Sequence, residues 1–220
     1  MPTRAPPLCL PAMAPRDYHE LLWETVAPGL EPEAFTVRRE FLLAHVEAGQ
    51  SALDVGCGEG LFSAALLDAG LSVIGIDVAE EPLRRGRAGR ADLDLRLIDS
   101  AAAWPLQDAS FDVVWAGEVI EHVHDTAGWL SEVRRVLRPK ATLLISTPNH
   151  TPLGLARLAF DRRAFARHFD PRADHLRFYS AGTLTSILED FGFDLVSVSG
   201  AGGRLGARTT LLARARRGRW

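Results

Sequence analysis

The residues best suited to chemistry lie in a glycine-rich stretch, Leu53-Asp54-Val55-Gly56-Cys57-Gly58-Glu59-Gly60, between a short apolar run and a run with helical spacing. Glycine tolerates positive φ and has no Cβ, so the backbone of such a turn can lie directly against a ligand. The free N–H groups at the start of the following helix favour an anionic part of that ligand, such as a carboxylate. The stretch therefore indicates a binding loop, although a tight structural turn would have a similar composition.

The spacing of the glycines limits the class of ligand. They occupy positions 56, 58 and 60, so the pattern is G-x-G-x-G. The fingerprint of nicotinamide dinucleotide-binding proteins has its last glycine one residue later, where this chain has Leu61. The spacing thus argues against a nicotinamide-dependent dehydrogenase.

Two carboxylates end the next two apolar runs. Asp77 closes Gly75-Ile76-Asp77, and Asp99 closes Leu97-Ile98-Asp99. Ligands of open α/β sheets bind at the carboxyl ends of the strands, where Asp77 can accept hydrogen bonds from ribose hydroxyls and Asp99 from an adenine amino group. Each residue alone could be a helix cap, but together with the loop they predict a nucleoside-binding site.

A further polar group, Glu118-Val119-Ile120-Glu121-His122, follows the fourth apolar run. On a helical turn Glu118, Glu121 and His122 would share one face, because they are spaced i, i+3, i+4. Two carboxylates and an imidazole could bind Mg²⁺, Mn²⁺ or Zn²⁺ and lower the pKa of a hydroxyl. Alternatively, Glu118 closes the ligand pocket while the other two hydrogen-bond locally. We favour the second interpretation, which assigns no metal, with His122 as a general base.

The elements that must position these residues alternate between strand and helix. Such alternation predicts a parallel sheet with helices on both faces. Two late strands joined by a glycine-rich turn at 200–206 form a hairpin, so one of them must run antiparallel to the rest. The predicted strands are 51–55, 71–76, 93–98, 111–115, 142–146, 193–198 and 209–213, and the predicted helices are 17–48 with a break at Pro28-Gly29, 61–69, 80–88, 126–137 and 181–191.

Residues 52–149 resemble class I S-adenosylmethionine-dependent methyltransferases, and closest in motif are the ubiquinone-biosynthesis O-methyltransferases. The resemblance implies a Rossmann-like, seven-stranded, mostly parallel sheet with a reversed terminal strand. It also implies S-adenosylmethionine as the cofactor. The segments that carry it are LDVGCGEG at 53–60, GID at 75–77, WPLQDASFDVV at 104–114, EVIEHV at 118–123 and STPN at 146–149.

The same resemblance implies roles for individual residues. Gly56, Gly58 and Gly60 line the methionine part of the cofactor, and Asp54 supports its amino group. Asp77 then holds the ribose hydroxyls, and Asp99 the adenine. The expected cofactor site as a whole comprises Asp54, Gly56, Cys57, Gly58, Gly60, Asp77, Val78, Asp99, Ser100 and Glu118.

Two related groups use a segment like 118–122 with a metal: the ubiquinone-biosynthesis enzymes and the small-RNA 3′-end 2′-O-methyltransferases. The second group adds a distant histidine, which His175 resembles. We expect a small-molecule acceptor with an oxygen nucleophile, and His122 or His175 as the catalytic residue that takes its proton. A metal-dependent RNA 3′-end methyltransferase and a non-catalytic, cofactor-binding partner subunit are the alternatives.

Residues 148–179 mix arginines, histidines and aromatic residues, and in the family this segment caps the acceptor site. Such a mixture could equally be the solvated face of an amphipathic helix. Ahead of the fifth strand, many relatives have Lys-Pro-Gly-Gly where this chain has Arg138-Pro139-Lys140-Ala141. A positive φ at Lys140 would cost about 1 kcal/mol.

Composition limits the remaining possibilities. The 220 residues suffice for one domain, which we assign to 16–220, with 1–15 as a disordered tail because it holds five prolines. The true start could be Met1 or Met13. Cys9 and Cys57 are not expected to pair, so we expect a cytoplasmic protein. No apolar run approaches the roughly 20 residues of a membrane helix, and a net charge of −3 does not favour nucleic acid. We therefore expect no membrane partner.

Overall fold

The computed structural model describes residues 15–170, 174–202 and 209–218. Its strands form one seven-stranded sheet in the order β3-β2-β1-β4-β5-β7-β6. Strand β7 is antiparallel to both of its neighbours, while the pairs among β1 to β5 are parallel. The predicted fold is confirmed. The strands are β1 Ser51–Val55, β2 Ser72–Asp77, β3 Asp94–Leu97, β4 Phe111–Gly117, β5 Leu137–Pro148, β6 Phe193–Ala201 and β7 Thr210–Arg217.

Successive residues of the central strands belong to two different hydrophobic cores. In β4, Val114 joins a core with Leu130 and Leu184, whereas Val113 joins another with Phe62. Successive side chains of a strand point to opposite faces, so a sheet covered on both faces needs apolar residues at every position. The helices are α1 Pro15–Thr25, α2 Phe35–Leu43, α3 Leu61–Asp68, α4 Glu80–Gly89, α5 Thr126–Val136, α6 Pro152–Phe160, α7 Arg162–His168 and α8 Ala181–Asp190.

Several boundaries differ from the sequence prediction. Strand β5 begins at Leu137 rather than 142, because Leu137 already pairs with Phe111 of β4. Lys140, with a φ of 67°, lies in the irregular part between this pair and the next one, Val113 with Thr142. Strands β6 and β7 are longer than predicted, since their pairing extends from Phe193 with Arg217 to Ala201 with Thr210. Gly200 and Ala201 thus belong to β6 rather than to the predicted turn, of which residues 203–206 lie outside the described part.

The helical region predicted for 17–48 divides into α1 and α2 around Pro28-Gly29, and Gly29 has a φ of 72°. Helix α1 begins at Pro15, and the tail predicted for 1–15 otherwise lies outside the described residues. The predicted cap contains α6 and α7, neither of which has a buried residue. In the described part of the chain, no helix is long and apolar enough to span a membrane.

Candidate active site

The glycine loop joins β1 to α3 at the carboxyl edge of the sheet. Its three glycines, Gly56, Gly58 and Gly60, have φ values of 66°, 53° and 80°. The N–H of Gly56 donates to the carbonyl of Ile76 at 2.8 Å, which ties the turn to β2. A Cβ at Gly56 would lie 2.5 Å from Cγ2 of Val119. A larger residue at 56 would therefore be strained as well as crowded.

Asp77 holds this loop from the end of β2. Its Oδ2 accepts a hydrogen bond from the N–H of Gly58 at 2.9 Å, and its Oδ1 accepts one from Ala79 at 3.0 Å. Burial raises the pKa of Asp77, although these bonds oppose the shift. Each oxygen can accept a further hydrogen bond. Ribose hydroxyls can therefore bind without displacing the loop.

Asp99 lies one strand further along the same edge. The N–H of Ile98 donates to the carbonyl of Asp77 at 2.9 Å, which brings the ends of β2 and β3 together. Asp99 is exposed, and its Oδ1 accepts a hydrogen bond from the N–H of Ala101. Its neighbour Ser100 is exposed too. The two predicted adenine-side residues thus stand at the open end of the site.

Asp54 lies beneath the loop and is almost fully buried. The hydroxyl of Ser63 donates to its Oδ2 at 2.7 Å. Burial is the main cause that raises the pKa of Asp54 to about 7, and the charge of Asp77 adds to it. A cation placed beside Asp54 would favour the ionised form.

Cys57 and Val78 are two further residues that the sequence predicts for the cofactor site, and neither carries a carboxylate. The Cys57 thiol is buried and lies 3.7 Å from the carbonyl oxygen of Gly58. Burial raises the pKa of this thiol, so it stays protonated and does not act as a nucleophile. Val78 is partly buried and packs against the main core.

Arg38 of α2 also faces this candidate site, and it is not among the residues that the sequence predicts. Its side chain is 2 % exposed, its guanidinium lies 4.8 Å from the centroid of the Phe62 ring, and Nη1 donates to the carbonyl of Glu33 at 3.1 Å. Its Nε has no hydrogen-bond partner among the described residues and lies 4.0 Å from Oε1 of Glu118. A buried guanidinium with a spare donor is suited to bind a carboxylate.

The sequence contains a pattern that predicts a buried position for Arg38. It lies three residues after Phe35 and four before Leu42, so it belongs to the apolar face of the predicted helix. An arginine on such a face is buried only when it has a partner.

Helix α1 covers the glycine loop from the solvent side. A Cβ at Gly58 would lie 2.8 Å from Cζ2 of Trp23, so the indole ring packs directly on the loop. The carboxylate of Glu20 accepts hydrogen bonds from the N–H groups of Glu80 and Glu81 at 2.6 and 3.1 Å, at the start of α4. This covering helix was not anticipated as part of the site.

The segment after β4 is a turn rather than the helical turn expected from its spacing. Glu118 has a φ of 57°, and the N–H of His122 donates to the carbonyl of Val119 at 2.9 Å. The Glu118 carboxylate faces Arg38, whose charge opposes the rise that burial causes in the pKa of Glu118. The expectation that Glu118, Glu121 and His122 share one helical face is therefore wrong.

Glu121 is completely buried behind this turn. The hydroxyl of Thr147 donates to its Oε2 at 2.9 Å, and its Oε1 has no hydrogen-bond partner in the described part of the chain. Burial, together with the charge of Glu118, raises the pKa of Glu121 to about 8. At neutral pH Glu121 is therefore mostly protonated.

His122 and His175 meet at the mouth of the site, with ring centroids 4.8 Å apart. Nδ1 of His122 lies 3.1 Å from the carbonyl oxygen of Asp174, to which it donates. This bond leaves the lone pair on Nε2, which lies 3.9 Å from Oε1 of Glu121. Burial lowers the pKa of His122, so the imidazole is neutral and able to accept a proton.

The side chains of Glu121, His122 and His175 are also suited to bind a divalent metal ion. One ligand atom from each of Glu121, His122 and His175 lies within 4.8 Å of the others. The unpartnered Oε1 of Glu121 and the Nδ1 bond of His122 to Asp174 are the arrangement that metal ligands use. A metal there would be held by one carboxylate oxygen and two imidazoles.

Comparisons with known proteins decide the family. A family model described as a methyltransferase domain matches residues 30–198. The chain belongs to the S-adenosylmethionine-dependent methyltransferases. It is 38 % identical over 184 residues to a probable S-adenosylmethionine-dependent methyltransferase of Mycolicibacterium smegmatis, covering 82 % of this chain and 67 % of that protein. It is 33 % identical over 173 residues to the ubiquinone biosynthesis O-methyltransferase of Methylococcus capsulatus, covering 76 % of this chain and 73 % of the relative.

Solved methyltransferase structures share the fold. The Burkholderia thailandensis 1,6-didemethyltoxoflavin-N1-methyltransferase, solved with S-adenosylhomocysteine, has a TM-score of 0.68 at 19 % identity, over 96 % of this chain and 94 % of that one. A methyltransferase structure from Bacillus halodurans has a TM-score of 0.66 at 17 % identity, over 83 % and 99 %. As a member of this family, the chain uses S-adenosylmethionine, as the resemblance implied.

Proposed function

We propose that this methyltransferase transfers the methyl group of S-adenosylmethionine to a hydroxyl oxygen of a small molecule, with His122 as the general base. The observation that carries the proposal is the hydrogen bond from Nδ1 of His122 to the carbonyl of Asp174, which leaves Nε2 unprotonated. Nε2 can take the hydroxyl proton as the oxygen attacks the methyl carbon. The ring of His175, 4.8 Å away, can position the acceptor beside it.

The cofactor would lie across the glycine loop. When bound, S-adenosylmethionine supplies the methyl group, and the electron pair of the broken carbon–sulfur bond stays on sulfur. Arg38 would bind the methionine carboxylate, Asp54 the amino group and Asp77 the ribose hydroxyls. These contacts fix the position of the methyl group relative to Nε2 of His122, and such alignment can lower a barrier by about 7–11 kcal/mol.

The test is a methyl-transfer assay on a panel of phenols, catechols, hydroxy acids and sugars, with products identified by mass spectrometry. The wild-type enzyme should methylate an oxygen, and His122→Gln should lower kcat by at least about 100-fold while cofactor affinity is unchanged. His124→Gln is the matched control, because the neighbouring His124 lies beside the turn and should retain full activity. Transfer to nitrogen or carbon alone, or full activity of His122→Gln, would contradict the proposal.

A second candidate rests on the cluster of Glu121, His122 and His175. If these residues hold a divalent metal, the acceptor could be an RNA 3′-end 2′-hydroxyl. Activity that is lost in EDTA, returns with Mg²⁺ or Mn²⁺ and acts on RNA oligonucleotides would favour this candidate. Activity on small molecules that EDTA leaves unchanged would favour the first.

A further inference from the structure

Large apolar side chains on the surface are concentrated in two segments. Of the twelve that are exposed in the described part of the chain, five lie in residues 152–169, which we name the cap hairpin, and four lie in residues 18–31, which we name the α1 patch. The cap hairpin spans α6 and α7, and the α1 patch spans most of α1 and the loop after it. Phe160 of the cap hairpin is 92 % exposed, and Leu30 of the α1 patch is 63 % exposed. Exposed apolar groups that are clustered in this way indicate contact surfaces.

The two surfaces carry opposite charges. The cap hairpin has four exposed arginines and a single acidic residue, Asp161, whose Oδ1 accepts hydrogen bonds from two N–H groups of α7. The α1 patch contains no lysine or arginine, and two of its three glutamates, Glu24 and Glu31, are exposed. The cap hairpin is therefore basic and the α1 patch acidic. The four arginines are Arg157, Arg162, Arg163 and Arg167.

These charges are not paired within the chain. Among the described residues, none of the four arginines forms an ion pair, and neither do Glu24 and Glu31. Exposed arginines elsewhere differ, since Arg84 and Arg138 lie 2.8 and 2.6 Å from a carboxylate oxygen. Unpaired charges beside exposed apolar groups suit a partner surface of the opposite charge.

Both surfaces lie beside the mouth of the candidate site. Burial and the charge of Asp174 raise the pKa of Tyr18, so the start of the α1 patch is near the segment that orients His122. The rings of Phe169 and Phe178 lie 5.3 Å apart, which anchors the carboxyl end of the cap hairpin to the same segment. Phe160 is at the opposite end of α7 and points away from its own chain.

We propose that the cap hairpin of one molecule docks on the α1 patch of a second copy of this chain, which gives a two-fold symmetric dimer. Arg162 and Arg163 of each molecule face Glu24 and Glu31 of the other, and Phe160 packs among the leucines of the patch. Under two-fold symmetry this contact forms twice, so the buried area doubles and the assembly closes.

Charge complementarity within one sequence favours a second copy as the partner. The cap hairpin needs an acidic surface with apolar groups, the α1 patch needs a basic one, and this chain presents both. Contact between two cap hairpins, or between two α1 patches, would bring like charges together and oppose association. Only the crossed arrangement pairs opposite charges at both contacts.

Analytical ultracentrifugation of the full chain is the first test. At low salt and about 0.1 mM protein, the mass should be twice the 24.0 kDa of one chain. Rising salt should lower the mass, because ions screen the arginines and the glutamates. The mass of one chain at low salt, or a dimer that salt does not weaken, overturns the proposal.

A charge exchange locates the two surfaces. Arg162→Glu with Arg163→Glu should raise the dissociation constant of the dimer on the order of a hundredfold, and Glu24→Lys with Glu31→Lys should do the same, because each pair of changes brings like charges together. An equimolar mixture of the two variants should form a dimer again, since both contacts of the mixed pair join opposite charges. Recovery in the mixture also shows that both variants are folded. A mixture that stays monomeric, or a variant that dimerises as the wild type does, overturns the proposal.

Two pairs of substitutions outside both surfaces are matched controls for net charge. They are Arg39→Glu with Arg216→Glu, and Glu189→Lys with Asp190→Lys, all at exposed residues. Both controls should dimerise as the wild type does. Losses equal to those of the charge-exchange variants would place the contact elsewhere.

Phe160→Ser tests the apolar part of the contact. Removing a large side chain from the centre of an interface should raise the dissociation constant about tenfold or more. Val196→Ser, at a residue of β6 that is 48 % exposed, is the control and should have no effect. Equal behaviour of the two variants would mean that Phe160 lies outside the interface.

Other occupants of the two surfaces give different results. If the wild type has the mass of one chain and Arg162→Glu with Arg163→Glu abolishes its binding to an RNA oligonucleotide, the cap hairpin binds nucleic acid. If the cap hairpin closes on the α1 patch of its own chain, the wild type is a monomer, and combining all four substitutions in one chain restores the activity that each pair lowers. Either result overturns the dimer.

Discussion

At the scale of single residues, the site gathers buried carboxylates around one arginine. The charge of Arg38 lowers the pKa of Asp54, of Glu118 and of Glu121, yet burial raises all three. Burial dominates because little solvent remains to stabilise the ionised forms. A cofactor that carries an ammonium and a sulfonium group would supply the missing positive charge.

Asp77 is the residue whose change should affect the cofactor most directly. Its carboxylate also holds the N–H groups of Gly58 and Ala79, so alanine would disturb the loop itself. Asp77→Asn keeps one acceptor oxygen and should weaken S-adenosylhomocysteine binding by about 1.5–3 kcal/mol, the contribution of a hydrogen bond to a charged group. Calorimetric titration measures this loss, and circular dichroism should show an unchanged fold. Unaltered affinity would contradict the assignment of Asp77 to the ribose.

Arg38→Met tests whether the buried guanidinium binds the methionine carboxylate. Methionine fills a similar volume without the charge, so affinity for S-adenosylhomocysteine should fall by at least tenfold, or about 1.4 kcal/mol. Affinity for adenosine, which lacks the carboxylate, should remain the same. Arg39→Met is the control, since Arg39 is adjacent but exposed. An equal loss of adenosine binding would indicate a structural role instead.

The pKa of about 7 at Asp54 predicts a pH dependence of binding. The amino group of the cofactor favours the ionised carboxylate, so binding must release a proton below this pKa. Affinity for S-adenosylhomocysteine should therefore fall about tenfold for each pH unit below 7. Calorimetry between pH 5 and about 8 checks this slope. Asp54→Asn should bind more weakly at high pH, with a flatter profile, and an unchanged slope would refute the role of Asp54.

At the scale of elements, the turn inside β5 has the positive φ for which the sequence predicted a loss of stability. Lys140 takes a φ of 67°, in the left-handed region that glycine adopts freely. The turn lies where β5 starts beside β4, at the Phe111/Val113 irregularity in the register. It is far along β5 from Thr147, which contacts Glu121. The strain at Lys140 therefore lowers the stability of the fold and does not act on the candidate site.

Lys140→Gly should stabilise the protein by about 1 kcal/mol, because glycine relieves the left-handed strain. For a domain of this size, such a gain raises Tm by about 2–4 °C. Scanning calorimetry measures the shift, and Lys140→Ala is the control, since alanine keeps the strain. A loss of stability in the glycine variant would show that its greater entropy in the unfolded chain outweighs the relief.

At the scale of the whole molecule, folding buries Glu121 and raises its pKa from an ordinary value of 4.5 to about 8. The native state therefore binds a proton that the unfolded state has already released between these pH values. By linkage, this contribution to stability is complete below about 4.5 and is lost as the pH rises through about 8. Neutral histidines such as His122, with a lowered pKa, act in the opposite direction.

A comparison with Glu121→Gln isolates this contribution. Glutamine keeps an oxygen that can accept the hydroxyl proton of Thr147 but cannot titrate. Urea unfolding at a series of pH values should show the wild type losing stability relative to the variant as the pH rises from about 5 to about 8. A constant difference between the two proteins would mean that Glu121 stays ionised in the folded state.

The sequence by itself determined the sheet, the glycine loop and its carboxylates. Alternating apolar runs fix strands and helices, and a hairpin forces one reversed strand, so these features follow from local patterns. Asp54, Asp77 and Asp99 could be placed because parallel strands end at a common edge. The groups that these carboxylates contact lie a few residues away in the sequence or next to the neighbouring strand.

Only the tertiary structure decided which side chains meet across long separations. Arg38 reaches Glu118 from a helix that precedes the sheet, and Asp174 orients His122 from 52 residues away. Glu118 takes a left-handed φ of 57°, which no spacing rule predicts. Burial sets the pKa of each of these groups, and burial is a property of packing that no local pattern contains.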